Sequence, residues 1–307
     1  MAEEWPAFDV ERDSPTFATL HLASQMLGKV RVANAAWVNH GWHATLRPAA
    51  TGLATLPTAC PGGRSFTLGI DLCQHGIALD VSDGSRELLP FVDGQSIADL
   101  HAAFVAMLDR YDLPSRFNGR PNEIADAPRF ADDHAPRHYN TASADTLRRA
   151  LAVIVPVFET FRAGFLGKGS PVQFYWGSFD LAVTRFSGRD APKHPGGIPG
   201  LPDRITREAY SHEESSAGFW PGGVTAVDPI FYSYAYPEPA GFREAIVVPD
   251  AAGFDTTLGE YTLPYKAVRK AADPAAELMG FLQSTYDVAA DLAKWDRQAL
   301  EREPVAP

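Results

Sequence analysis

Between Trp42 and Asp83 the chain keeps a two-residue rhythm. In WHATLRP, GLATLPT, RSFTLGIDLCQ and GIALDVSD, apolar and polar residues alternate, and Gly, Pro and Asp-Gly turns separate the runs. Such alternation puts every second side chain on one face, so the segment must form an antiparallel meander with one face against a core. On both sides the period becomes helical. Upstream, TFATLHLASQMLGKV carries Phe17, Leu20, Met26 and Leu27 at helical spacing, with Ser14 as the expected cap and Pro15 in the first turn. Downstream, Ser96 caps a helix whose apolar face holds Ile97, Leu100, Phe104 and Leu108.

Residues 112–141 are rich in Pro, Asp, Asn and Arg and read as a connector; after them the pattern restarts. SADTLRRALAVIVPVFETFRAGF is a helix with Pro156 as the expected kink. PVQFYWGSFDLAVTRFSG is a long strand or hairpin, PIFYSYAYPEP and GEYTLPY are strands, and a helix capped at Asp273 follows. The fold class is therefore α+β. We expect two similar helix–meander–helix halves, 1–111 and 142–307, packed as a pseudo-twofold pair. WHATLRP and FDLAVTRF stand at matching places, and each is followed by a Pro-Gly-Gly turn. On this reading the second half carries an insertion over about 190–228, and long insertions on a rigid scaffold often hold function.

Composition excludes several classes. A net charge of -11 argues against binding a phosphate backbone, which needs a dense basic surface. No apolar run approaches the roughly 20 residues of a membrane helix. The two cysteines, Cys60 and Cys73, make no disulfide framework, and the acidic start lacks a signal-peptide pattern, so a cytoplasmic location is expected. There is no phosphate-cradling loop, dinucleotide fingerprint, paired-Cys zinc motif or nucleophile elbow.

The candidate chemistry gathers in REAYSHEESSAGFWPGG. His212 with Glu213 is the expected catalytic pair, imidazole serving as general acid or base beside a carboxylate. His212 with His194 is also a candidate ligand set for a divalent metal. HEESS fails as a zinc-protease motif, because Ser216 stands where a second histidine is needed. On an extended backbone His212 and Glu214 share one face, with Glu213 on the other. Arg185 and Arg189 could hold an anionic group. Tyr210, Trp220, Tyr234 and Trp176 are the candidate walls of a small-molecule cleft. Tyr232, Tyr234 and Tyr236 fall on one strand face, and Asp180 is expected to pair with Arg185 or Arg189. A non-catalytic binding protein or a homo-oligomer built on the same aromatic surface is the alternative. His134 and His138 read as surface-loop residues, since Pro136 prevents a helix from aligning them.

The strings GKVRVA, VNHGWHATL, WGSFDLAVTRFSGR, REAYSHEESSAGFWPG, FYSYAYPEP and FLQSTYDVAADLAKWDR resemble the bacterial family DUF5996, from about Trp5 to Arg297. The resemblance implies a stand-alone bacterial protein and brings no activity, cofactor or catalytic residue. That family usually has an apolar residue at the position of Glu214, which directs the expectation to His212 and Glu213.

Overall fold

The computed structural model describes residues 5–198, 200–223 and 227–302. It is an α+β fold of two antiparallel sheets and, among the described residues, seven α-helices. The first sheet comprises β1 (Arg47–Ala49), β2 (Gly52–Ala54), β3 (Thr58–Cys60), β4 (Arg64–Asp71), β5 (Gly76–Val81) and β6 (Arg86–Pro90). Its order is β1-β2-β4-β5-β6, with β3 also on β4. The second comprises β7 (Gln173–Tyr175), β8 (Asp180–Asp190), β9 (His212–Trp220), β10 (Ile230–Tyr236), β11 (Gly253–Asp255) and β12 (Glu260–Pro264). Its order is β11-β12-β10-β9-β8-β7. The strand orders differ between the two sheets, although each lies between helices in the chain.

Helix α1 (Val10–Asn34) is the pillar between the sheets, and every residue from Thr19 to Arg31 is buried. It begins before Ser14: Asp9 is the cap, accepting from Arg12 N, and Pro15 lies inside the helix. Helices α2 (Ile97–Arg110) and α3 (Thr141–Ala163) pack on it, and α3 runs through Pro156. Ser96 and Asn140 cap these helices by accepting backbone N–H bonds. Three helices follow the second sheet's first hairpin: α4 (Asp203–Ala209), α5 (Tyr265–Lys270) and α6 (Pro274–Leu292), the last capped by Asp273. A short α7 (Arg297–Leu300) ends the described chain.

The sheets meet at one seam, where Leu46 and Phe174 exchange backbone hydrogen bonds of 3.0 and 2.8 Å. One face of the second sheet packs on α3 and α6 with Leu181, Val183, Ala217, Phe219 and Phe231 buried. The other face turns toward α1 and the 37–45 segment. The stretch expected as an insertion divides. Residues 191–202 are irregular and α4 follows, but His212–Trp220 is β9, an interior strand paired with both β8 and β10. Its run Ser215-Ser216-Ala217-Gly218 is too small for the apolar alternation that marks a buried strand. Residues 199 and 224–226 of the expected insertion lie outside the described residues. Gly177 sits in the turn that joins β7 to β8.

Candidate functional site

The hollow comes from the register of three strands. Ala182, Gly218 and Tyr232 lie side by side across β8, β9 and β10, as do Thr184, Ser216 and Tyr234, and then Phe186, Glu214 and Tyr236. In the first two rows β8 and β9 contribute small side chains while β10 contributes tyrosine. The floor is left open over β8 and β9 and is walled by rings. Gly218 is required here, because any Cβ at that position would overlap the Tyr232 ring.

The result is a cavity of about 590 Å³, within the usual range for a small-molecule site. Trp37, Trp42, Trp176 and Trp220 line it, together with Tyr175, Tyr210, Tyr232 and Tyr234. Trp220 stacks obliquely on Tyr232 at 4.4 Å, and Tyr232 lies parallel to Tyr234 at 6.3 Å. Helix α4 closes one side. Trp37 Nε1 donates to Glu208 at 2.7 Å, and His40 Nδ1 donates to Ala209 O at 2.9 Å.

Three carboxylic acids of the second sheet line this cavity, and burial pushes all three up. Asp180 rises to about 6, although Ser178 and Tyr232 donate to it and pull the other way. Glu214 rises to about 8, opposed by Tyr234, whose hydroxyl donates over 3.4 Å, and by the charge of Lys168. Glu260 rises to about 8, with the Asp180 charge adding to its burial, and its Oε2 is buried without a hydrogen-bond partner. None of the three forms a salt bridge among the described residues. The phenols of Tyr232 and Tyr234 are also raised by burial and remain protonated donors. Tyr210 donates to Tyr234 at 3.2 Å, making a Tyr210–Tyr234–Glu214 relay.

Lys29 and Arg204 are the Lys and Arg side chains of the lining. Lys29 is buried, donates to Asn122 and lies 5.5 Å from the centre of the Trp176 ring. At another edge Lys168 donates to His40 Nε2 at 2.5 Å and lies over Phe186.

Of the residues singled out in the sequence, Trp176, Tyr210, Trp220 and Tyr234 line the cavity. His212 lies beside it: Nε2 is 3.6 Å from Asp190 and the ring is 5.9 Å from that of His40. Glu213 faces away and holds Arg189 at 2.6 Å, while Arg189 also donates to Ala293 O at the end of α6. Arg185 points to the opposite side of β8, its guanidinium 3.5 Å from the Phe161 ring centre and 4.2 Å from that of Tyr286. The expected partnership of Asp180 with Arg185 or Arg189 is thus replaced by Ser178 and Tyr232. His194 stacks on Tyr210 at 4.7 Å and accepts from Gly196 N. Among the described residues no group of three or more His, Cys, Asp or Glu is placed to hold a metal ion.

Sequence reasoning passed over Glu214, Glu260, Lys29 and His40 as site residues. Glu260 carried a signal, a lone acid in an otherwise uncharged strand run, whereas Glu214 was masked by the adjacent His212 and Glu213. For Lys29 the signal was spacing: His21, Gln25 and Lys29 recur every fourth residue on one helix face.

Fold and cavity together define an α+β protein with an aromatic-walled and acid-bearing cavity. The chain belongs to DUF5996, a family of unknown function, whose profile matches residues 5–302. No curated protein and no solved structure matches the chain significantly. Among the described residues no helix is long and apolar enough to cross a membrane.

Proposed function

We propose that the cavity binds a small organic cation with an apolar body, and that Asp180 exchanges a proton with it. One observation carries this reading: Asp180, Glu214 and Glu260 share an aromatic-walled cavity and, among the described residues, have no salt-bridge partner. A buried carboxyl without a counter-ion holds its proton to higher pH because its charged form is poorly solvated. A ligand that brings a positive charge supplies the missing partner. The faces of Trp176, Trp220 and Tyr234 add attraction of about 0.5–2 kcal/mol for a cation over a ring. Asp180, with its value near neutrality and its hydrogen bonds from Ser178 and Tyr232, is the group best suited to proton transfer.

Calorimetry with 2-phenylethylamine, 2-phenylethanol and 3-phenylpropanoate tests the reading. The three share a ring and differ in charge. The amine is expected to bind tightest at pH 7 and to release protons on binding, as raised carboxyl groups ionise against it. The proton count follows from repeating the titration in buffers of different ionisation enthalpy. The double variant Asp180→Asn, Glu260→Gln is expected to lose the preference. Equal or tighter binding of 3-phenylpropanoate overturns the proposal.

A further inference from the structure

We infer that Lys29 is an imine-forming amine: it lines the cavity, is buried with no carboxylate in salt-bridge reach among the described residues, and would condense there with a small aldehyde or ketone. This inference uses the same cavity but does not rest on the cation reading. Helix α1 presents His21, Gln25 and Lys29 as a polar stripe inside the core. His21 Nε2 lies 2.8 Å from Gly177 O, and Gln25 brackets Asn122 by accepting from its N at 2.7 Å and donating to its O at 2.9 Å. Asn122 is thereby fixed, donates on to Gly200 O at 2.6 Å, and offers its own side-chain oxygen to Lys29. Trp176 closes the other side. Its indole occupies the space above Gly28 that any Cβ would fill, and its Nε1 is tied to Ala44 O at 2.8 Å.

An amine held in this way is both oriented and short of charge stabilisation. Burial pulls Lys29 down to about 8. At pH 7.5 about a quarter of such an amine is neutral, against about a thousandth of an ordinary lysine. The other five lysines, Lys168, Lys193, Lys266, Lys270 and Lys294, are exposed.

The reaction balances without any redox partner. The Nζ lone pair attacks the carbonyl carbon, a C–N bond forms as the C=O π bond breaks, nitrogen loses one proton and the carbonyl oxygen takes one up, giving a carbinolamine. That oxygen then leaves as water after a second protonation, and nitrogen loses its remaining proton or keeps it as an iminium. Glu123, next to Asn122 and packed over Gly177, lines the same cavity and would deliver and recover these protons. The iminium carries the positive charge that the Trp176 face and the acidic lining favour.

Trapping tests this directly on the full chain. The protein is incubated with benzaldehyde at pH 7.5 in the presence of cyanoborohydride, and benzylated lysines are quantified by peptide mass spectrometry. Lys29 is expected to label at least about 10-fold faster than Lys193, Lys266, Lys270 or Lys294, which serve as internal controls, Lys168 being set apart because it bonds His40 at the cavity edge. Lys29→Arg should abolish that adduct and leave those four unchanged. Labelling of Lys29 no faster than those four in the native protein overturns the inference, whatever the variant does. Failure of 2-phenylethylamine to bind would count against the cation reading alone, and Lys29 labelling would still be decided on its own terms.

Discussion

Glu214→Gln separates a working acid from a packing residue, because the substitution keeps size and hydrogen bonding and removes ionisation. Glu214 is only 5% exposed, sits between Phe186 and Tyr236 across the sheet, and has Tyr234 and Lys168 as its polar surroundings. Burial raises it from 4.5 to about 8. Below pH 4.5 the carboxyl is protonated in both folded and unfolded chains and contributes no pH dependence. Between pH 4.5 and 8 the unfolded chain has released the proton while the folded chain retains it, so stability falls as pH rises. Above pH 8 both are ionised and the loss is complete. The shift corresponds to about 5 kcal/mol. For a chain of this length that is about 8 °C in Tm. Thermal unfolding of the native protein and the variant should be followed by circular dichroism at half-unit steps from pH 4.5 to 9. The two are expected to coincide at pH 4.5 and to diverge above it, with the glutamine variant the more stable at pH 9. Asp180 and Glu260 titrate in both proteins, so the difference between the curves, not either slope, reports on Glu214. Parallel curves would show that Glu214 ionises freely in the folded chain and would remove the buried-acid argument at this position.

Gly218→Ala is expected to cost about 1–3 kcal/mol of stability, since the new methyl must displace the Tyr232 ring. It should also break the Tyr232–Asp180 hydrogen bond, moving the Asp180 titration followed by carboxyl NMR. Arg185→Ala removes a guanidinium packed on Phe161 and Tyr286 and bonded to Phe161 O. A loss of about 3 kcal/mol in urea denaturation is expected, with unchanged affinity for 2-phenylethylamine, because the residue lies on the helix-facing side of the sheet.

Much of the scaffold was legible because it obeys local rules. The two-residue rhythm of RSFTLGID and GIALDV became β4 and β5, and Ser96 and Asp273 cap helices as their residue types require. Tyr232 and Tyr234 line the cavity from alternate positions of β10, as strand geometry demands. The start of α1 was misplaced because Pro15 suits a first turn, yet Asp9 offers a cap with no cost to the helix that follows. The identity of the working acids was obscured for a different reason. His212, Glu213 and Glu214 are consecutive and chemically similar in the chain, and only the pairing of β9 decides which of them meets solvent, Arg189 or the cavity. A partner such as Tyr232 for Asp180 lies 52 residues away and leaves no local mark.

The small residues of β9 connect these observations. Ser215, Ser216, Ala217 and Gly218 weaken the strand signal in the sequence, and two of them, Ser216 and Gly218, keep the cavity floor open. A larger residue at either position would fill the space between Thr184 or Ala182 and the β10 tyrosines. A chain selected only for stability would gain apolar burial by filling it, at about 25 cal/mol per Å². Here the volume is instead kept, and acids whose charged forms are unfavourable are placed around it. The loops that roof it come from 37–45, 118–123 and α4, three segments remote in sequence and bound together by Trp37–Glu208, His40–Ala209 and Asn122–Gly200. Keeping an acid-bearing cavity under a tied roof forgoes apolar burial, and on the proposed reading a ligand that brought charge and rings would offset that loss on binding.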